Sequence, residues 1–225
     1  MRLPGAPMAS VTISASYGAR GERIAQAVAE RLGLAFLDRA IPLRVARQLQ
    51  LPEESAESSD ERAPTRWDRV ANALSAAGSV TTATGVSQVP IQDADAFRRA
   101  TESILQRVAD TTGAVFLGRA GMVVLRGRAD VLCVRLDGPV EARIAQAVAD
   151  GVDPAVASDA QRDVDGARND YASFFYRQRQ DDARLYHLII DSTALPVDAC
   201  VDIIVTAARA HLGDRGAPMT PTVGP

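Results

Sequence analysis

Hydrophobic positions along this chain come in two textures, short continuous runs and longer stretches at helical spacing. Val11–Ser14 is such a run, and it leads into a turn that carries Gly18 and Gly21. Ile24, Val28 and Leu32 follow at helical spacing, and Gly33 predicts where that helix stops. Leu34–Leu37 is a second short run; Ile41, Val45 and Leu49 then predict a helix that ends before Pro52. Ala114–Leu117, Val131–Leu136 and Leu188–Ile190 read as buried strands, each between helical segments. Val140, Ile144 and Val148 mark one of those helices, and Val197, Val201, Ile204, Val205 and Ala208 mark the last. Buried strands alternating with helices predict an α/β fold. The expected sheet is five-stranded and parallel, flanked by helices, with Val11–Ser14 central. Ligands in such folds sit beyond the C-terminal ends of the strands, where the Gly18–Gly21 turn falls.

Residues 52–112 interrupt this alternation. Pro52–Pro64 is acidic and serine-rich and predicts a mobile loop, while Gly78–Pro90 predicts irregular structure. Trp67–Ala77 predicts a short helix, and Phe97, Thr101, Ile104, Leu105 and Val108 a longer one. The region has the pattern of a small substrate lobe or of a pair of dimerisation helices. Residues 1–9 and the Gly/Pro-rich 212–225 are expected to be disordered ends of one domain over 10–211.

The chain has 225 residues, 47% of them hydrophobic, which suffices for one substantial core. A formal net charge of −3 excludes nucleic-acid binding driven by bulk charge. Cys133 and Cys200 lack disulfide or metal-ligand spacing and read as small buried hydrophobes. No run has the length of a membrane span or of a signal-peptide core, so the expected location is the cytoplasm, with no membrane partner.

All 25 Lys+Arg positions are arginine. Genomic G+C bias is the bland explanation of that; the physical result is that every cation is a planar, permanently charged fork suited to phosphate and carboxylate. This bears directly on Gly18-Ala19-Arg20-Gly21. Glycines at the end of a strand let backbone N–H groups and a helix N-terminus approach an anion, although such a turn also serves as a plain connection. The common phosphate-loop pattern adds Lys and then Ser or Thr, for phosphate and Mg²⁺. Here the hydroxyl position holds Arg23, and Arg20 and Arg23 are the candidates for the missing cation.

Five segments, taken in order, resemble the cytidylate kinase-like family, relatives of the bacterial cytidylate kinases among the P-loop nucleoside monophosphate kinases. Gly18-Ala19-Arg20-Gly21-Glu22-Arg23-Ile24-Ala25 resembles that family's phosphate loop. Leu37-Asp38-Arg39-Ala40 through Arg44 resembles the segment after the second strand, which holds the monophosphate; Arg39 stands at its hydroxyl position and Arg44 at its arginine. Gly118-Arg119-Ala120-Gly121 resembles the turn after the third strand, with Ala120 in place of an aspartate. Arg162-Asp163-Val164-Asp165-Gly166-Ala167-Arg168-Asn169 resembles the lid, here about 152–182, and keeps the Asp165-x-x-Arg168 spacing. Ile190-Asp191-Ser192-Thr193-Ala194-Leu195 with Val197-Asp198 resembles the joint between the last strand and helix.

The resemblance implies a P-loop NTPase-like fold with a helical lid and a small helical insertion. It implies transfer of the ATP γ-phosphoryl group to a nucleoside monophosphate such as CMP or dCMP. Gly18, Ala19, Arg20, Gly21, Glu22 and Arg23 would then hold ATP; Arg39, Arg44 and Arg119 the acceptor phosphate; Arg162 and Arg168 the transferring group; and Asp165 the base or the lid's orientation. Mg²⁺ is expected with ATP, though no motif names its ligands, and Asp38 and Glu22 are the nearest carboxylates. The partner is a small-molecule nucleotide, with a homodimer as the expected assembly.

Other readings stand beside these. Arg119 fixes its turn through hydrogen bonds, or it holds phosphate. The lid charges are a solvated, salt-bridged helix face, or they close on substrate. Tyr171, Phe174, Phe175 and Tyr176 are core packing or a subunit interface. A kinase with a non-nucleotide, more acidic acceptor fits Arg39 equally, and a catalytically silent nucleotide- or partner-binding module fits the missing lysine. Arg168 is expected to be an exposed lid charge whose loss spares stability.

Overall fold

The computed structural model describes residues 9–38 and 94–213. Residues 1–8 and 214–225 of the expected ends, the Ile41–Leu49 and Trp67–Ala77 helices, the Pro52–Pro64 and Gly78–Pro90 segments, Arg39 and Arg44 lie outside the described residues, while Leu212 and Gly213, expected to be disordered, continue the last helix.

Strand β1 (Ser10–Ala15) is buried along its whole length. On one side it pairs in parallel with β3 (Ala114–Leu117), and on the other with β4 (Val131–Asp137). Beyond them lie β2 (Ala35–Leu37), against β3, and β5 (Leu188–Asp191), against β4. The order β2-β3-β1-β4-β5, parallel throughout, makes β1 the central strand as the apolar pattern predicts.

Side chains of a strand alternate between its two faces. The Val11, Ile13 and Ala15 face joins a core with Ile24 and Val28 of α1 (Gly21–Leu32). Beyond Ala94–Thr111 (α2) and Gly121–Val124 (α3), the next helices are α4 (Val140–Ala149), α5 (Pro154–Tyr176) and α6 (Val197–Gly213). Ile204 and Val205 of α6 complete that first core. A second core on the other face of the sheet gathers Phe116 and Cys133 with Leu105 of α2, Met122 of α3 and Tyr171 of α5. The result is three layers with the sheet in the middle.

The second face of β1 carries Ser10, Thr12 and Ser14, all buried. Ser10 Oγ accepts the Ala114 N–H at 3.2 Å, and the Ser14 hydroxyl donates to Met122 Sδ at 3.4 Å. Gly33 ends α1 at φ 66°, and the Leu34 N–H closes back on the Ala29 carbonyl at 3.0 Å, a glycine stop of the kind the sequence predicts. The lid segment is mainly one continuous helix. Asp153 caps it by accepting the Ala155 N–H at 2.9 Å, Pro154 occupies its first turn, and Arg177 ends it at φ 52°. Among the described residues no helix is long and apolar enough to cross a membrane.

Candidate functional site

The site forms where β1 hands over to α1. Arg20, at φ 51°, turns the chain into the helix, so the amides of Gly21, Glu22 and Arg23 open α1 without partners inside it. Both glycines of the turn are forced by packing. A Cβ on Gly18 would stand 2.1 Å from the Arg143 carbonyl oxygen of α4, and Gly18 also holds φ +74°. A Cβ on Gly21 would stand 2.3 Å from Ala15 Cβ. The glycines therefore let a neighbouring helix and strand approach the loop.

Helix α4 grips the turn at three points. The Arg143 guanidinium, buried, donates to the Tyr17 carbonyl at 2.7 Å and to the Gly138 carbonyl at 2.9 Å. Gln146 Nε2 donates to the Gly18 carbonyl at 2.9 Å. Arg20 meets Asp150, just past the end of α4, in a two-pronged pair at 2.7 and 2.8 Å. That hydrogen bond raises the pKa of Arg20 above its ordinary value. Arg20 thus serves the loop's shape, while Glu22 and Arg23 sit exposed on the first turn of α1.

Helix α5 lies over the same turn. The Asp165 carboxylate accepts the Tyr17 N–H at 2.8 Å, Arg143 at 2.8 Å and Gln161 at 2.9 Å. Arg168 reaches the Ala15 carbonyl and lies 3.7 Å from Asp165. The Arg168 side chain is only 13% exposed, which corrects the expectation of a solvated charge. Arg162 differs: its side chain is 70% exposed and pairs with Asp159 one turn back, as a salt-bridged helix face would. The same helix thus turns Asp165 and Arg168 inward, to the loop and the end of β1, and Arg162 to solvent.

The Gly118-Arg119-Ala120 turn after β3 holds three successive residues at positive φ, 77°, 56° and 52°. The Gly118 N–H donates to the Ile13 carbonyl at 2.9 Å, which ties this turn to β1. Arg119 and Arg168 line one cleft together with Ser14, Leu117, Met122 and Tyr171. The cleft reaches Ala15 at the root of the glycine turn, though Gly18–Gly21 do not line it. Burial raises the pKa of Tyr171, and the charge of Arg119 acts the other way. Tyr171, Phe175 and Tyr176 pack into or against the second core, with the Tyr171 and Phe175 rings edge-on at 4.9 Å; Phe174 is 67% exposed.

A profile of the cytidylate kinase-like family matches residues 10–194. The chain belongs to that family. Among curated proteins no sequence matches it. An uncharacterized protein from Eubacterium ventriosum has the same fold, with a TM-score of 0.64 at 14% identity over 90% of this chain and 99% of that one. A shikimate kinase from Acinetobacter baumannii, in complex with shikimate, aligns at a TM-score of 0.44 and 16% identity over 93% of this chain and 96% of that one. A gluconokinase from Sinorhizobium meliloti aligns at 0.47 and 15% identity over 92% of each chain. At such scores the two kinases say nothing about the acceptor of this family member.

Two buried arginines beside the loop escape a reading of the sequence. Arg143 sits among the apolar positions of a helix, and Arg135 interrupts a buried strand. Arg135 donates to the Ser16 hydroxyl at 3.0 Å, to Asp137 at 2.8 Å and to the Gln180 carbonyl at 2.8 Å. Burial is the largest influence and opposes its charge, but Asp137 and Tyr186 together raise its pKa. The only sequence signal for either is an arginine inside an otherwise apolar pattern. Mg²⁺, implied by the family, needs only one or two protein carboxylates beside the nucleotide's phosphates, and Glu22, exposed on the first turn of α1, would supply one. No group of three acidic, His or Cys side chains converges among the described residues. Asp137, Asp150 and Asp165, the carboxylates beside the loop, are each engaged by arginine.

Proposed function

We propose that the chain is a phosphotransferase that moves the γ-phosphoryl group of ATP to a nucleoside monophosphate such as CMP or dCMP. The observation that carries this reading is the meeting of Arg119 and Arg168 in one cleft at the C-terminal ends of β1 and β3. Two guanidinium groups from distant parts of the chain give a phosphate planar, permanent donors. Phosphoryl transfer depends on such positioning and charge more than on covalent chemistry. In this reading Arg119 holds the acceptor phosphate and Arg168 faces the transferring group. Gly18–Arg23 face the donor phosphates, and Arg162 joins only if the helix turns it inward. Arg39 and Arg44 are assigned the acceptor phosphate by family resemblance alone. A homodimer belongs to the same reading, and light scattering at micromolar concentration tests it.

A second reading, a catalytically silent nucleotide- or partner-binding module, is favoured by the engagement of the loop itself. Asp165 sits on the Tyr17 amide, and Arg20 is committed to Asp150. Release of ADP measured across monophosphates, with and without Mg²⁺, separates the two. The first reading expects turnover with one pyrimidine monophosphate above the rest, and Arg119→Gln to lower it by about 10²-fold or more. No ADP release with any acceptor, alongside ATP binding, leaves the silent module.

A further inference from the structure

The Asp165 carboxylate sits in a cradle built for an oxyanion. A backbone N–H, a guanidinium and a side-chain amide converge on its two oxygens, from Tyr17 at 2.8 Å, Arg143 at 2.8 Å and Gln161 at 2.9 Å. The Arg143 side chain is only 5% exposed, and that of Asp165 19%. A buried guanidinium demands an anion, because leaving it unpaired costs far more than an exposed charge would. Asp165 meets that demand at hydrogen-bond distance, with Asp137 farther off at 3.5 Å. Asp165 comes from α5, whereas Tyr17 and Arg143 belong to the loop and the helix that grips it.

We propose that Asp165 is an internal stand-in for a ligand's phosphate. A phosphate oxygen binds at the Tyr17 amide and Arg143 by displacing this carboxylate, so the loop's missing lysine is replaced by Arg143. Neither Arg20 nor Arg23 then carries that charge. The exchange also frees α5 from the loop, since the Asp165 contacts are part of what holds the helix there. The inference rests on the reading that the loop binds phosphate, whether borne by a nucleotide or free.

Calorimetric titration of the full chain with pyrophosphate, ATP and adenosine tests it. Asp165→Asn keeps the shape of the side chain and removes the competing charge. It is expected to bind pyrophosphate about tenfold tighter than wild type or better, with adenosine binding unchanged. Arg143→Met placed in that variant is expected to abolish the gain. A gain for both pyrophosphate and ATP assigns the site to nucleotide phosphates, and a gain for pyrophosphate alone assigns it to free phosphates; both uphold the exchange. If wild type binds ATP and Asp165→Asn binds neither phosphate ligand more tightly, the exchange is overturned while nucleotide binding stands. If neither protein binds ATP or pyrophosphate, both fall. Should Asp165→Asn fail to fold, Gln161→Leu removes one of the carboxylate's three donors, and the absence of any gain there overturns the proposal equally.

Discussion

At the scale of single residues, the glycine turn is legible as a turn and not as what fills it. Gly18 and Gly33 both hold positive φ, yet a Cβ on Gly33 meets nothing within 4 Å, while one on Gly18 meets the Arg143 carbonyl oxygen at 2.1 Å. Gly33→Ala is therefore expected to cost about 1 kcal/mol, the left-handed penalty alone. Gly18→Ala adds a clash with backbone that no side-chain motion relieves, and is expected to cost at least ~2 kcal/mol. Urea denaturation of the two variants measures the difference. Equal losses would mean that the turn moves away from α4 at no cost. The sequence announces both glycines but cannot rank them, because the atom that decides lies far along the chain. Arg143 and Arg135 are illegible for the same reason. Each looks like a polar position on a helix or a flaw in a strand until its acceptors, Tyr17 and Ser16, come into place beside it.

At the scale of elements, the strands are legible because a parallel sheet buries both faces and so leaves continuous apolar runs. The start of β5 holds a detail that no periodicity encodes. The His187 ring accepts the Cys133 N–H on Nδ1 at 2.9 Å, and the His187 backbone N–H donates to the Cys133 carbonyl at 2.8 Å. Its ring lies 4.8 Å from that of His211 on α6. Burial, then His211, then Arg126 lower its pKa from the ordinary value. The unfolded chain takes up that proton near the ordinary value of about 6.5, and the folded chain only at lower pH. Stability is therefore full above about pH 6.5 and falls as pH drops through the window between the two values. Denaturation midpoints at about pH 7.5 and about pH 5.5 are expected to show this fall. His187→Asn, whose carbonyl still accepts the Cys133 N–H but does not titrate, is expected to flatten it. An unchanged slope in that variant would place the dependence on other groups.

At the scale of the whole molecule, the site is a junction of layers. The loop follows the central strand, α4 grips it from one side, and α5 clips onto it through Asp165 and Arg168. The cost of losing such a junction is spread over the fold, so Arg168→Ala is expected to lower stability as well as any turnover, by about 1–3 kcal/mol for a largely buried, hydrogen-bonded charge. The converse is the more informative measurement. A ligand that bridges these elements binds only the folded chain, and at about a hundred times its dissociation constant it stabilises by ~2.7 kcal/mol. For a domain of this size that corresponds to a rise in Tm of about 5–10 °C. Saturating ATP is expected to produce that rise by thermal unfolding, under either the phosphotransferase or the silent nucleotide-binding reading. Adenosine without phosphates is expected to produce much less, because in either reading the charged groups gathered here would bind phosphate and not the base. A chain whose Tm moves with neither ATP nor pyrophosphate would lose nucleotide binding from both readings. The Asp165–Arg143 pair would then be a permanent internal tie, and the kinase-like fold would serve as a scaffold for a partner.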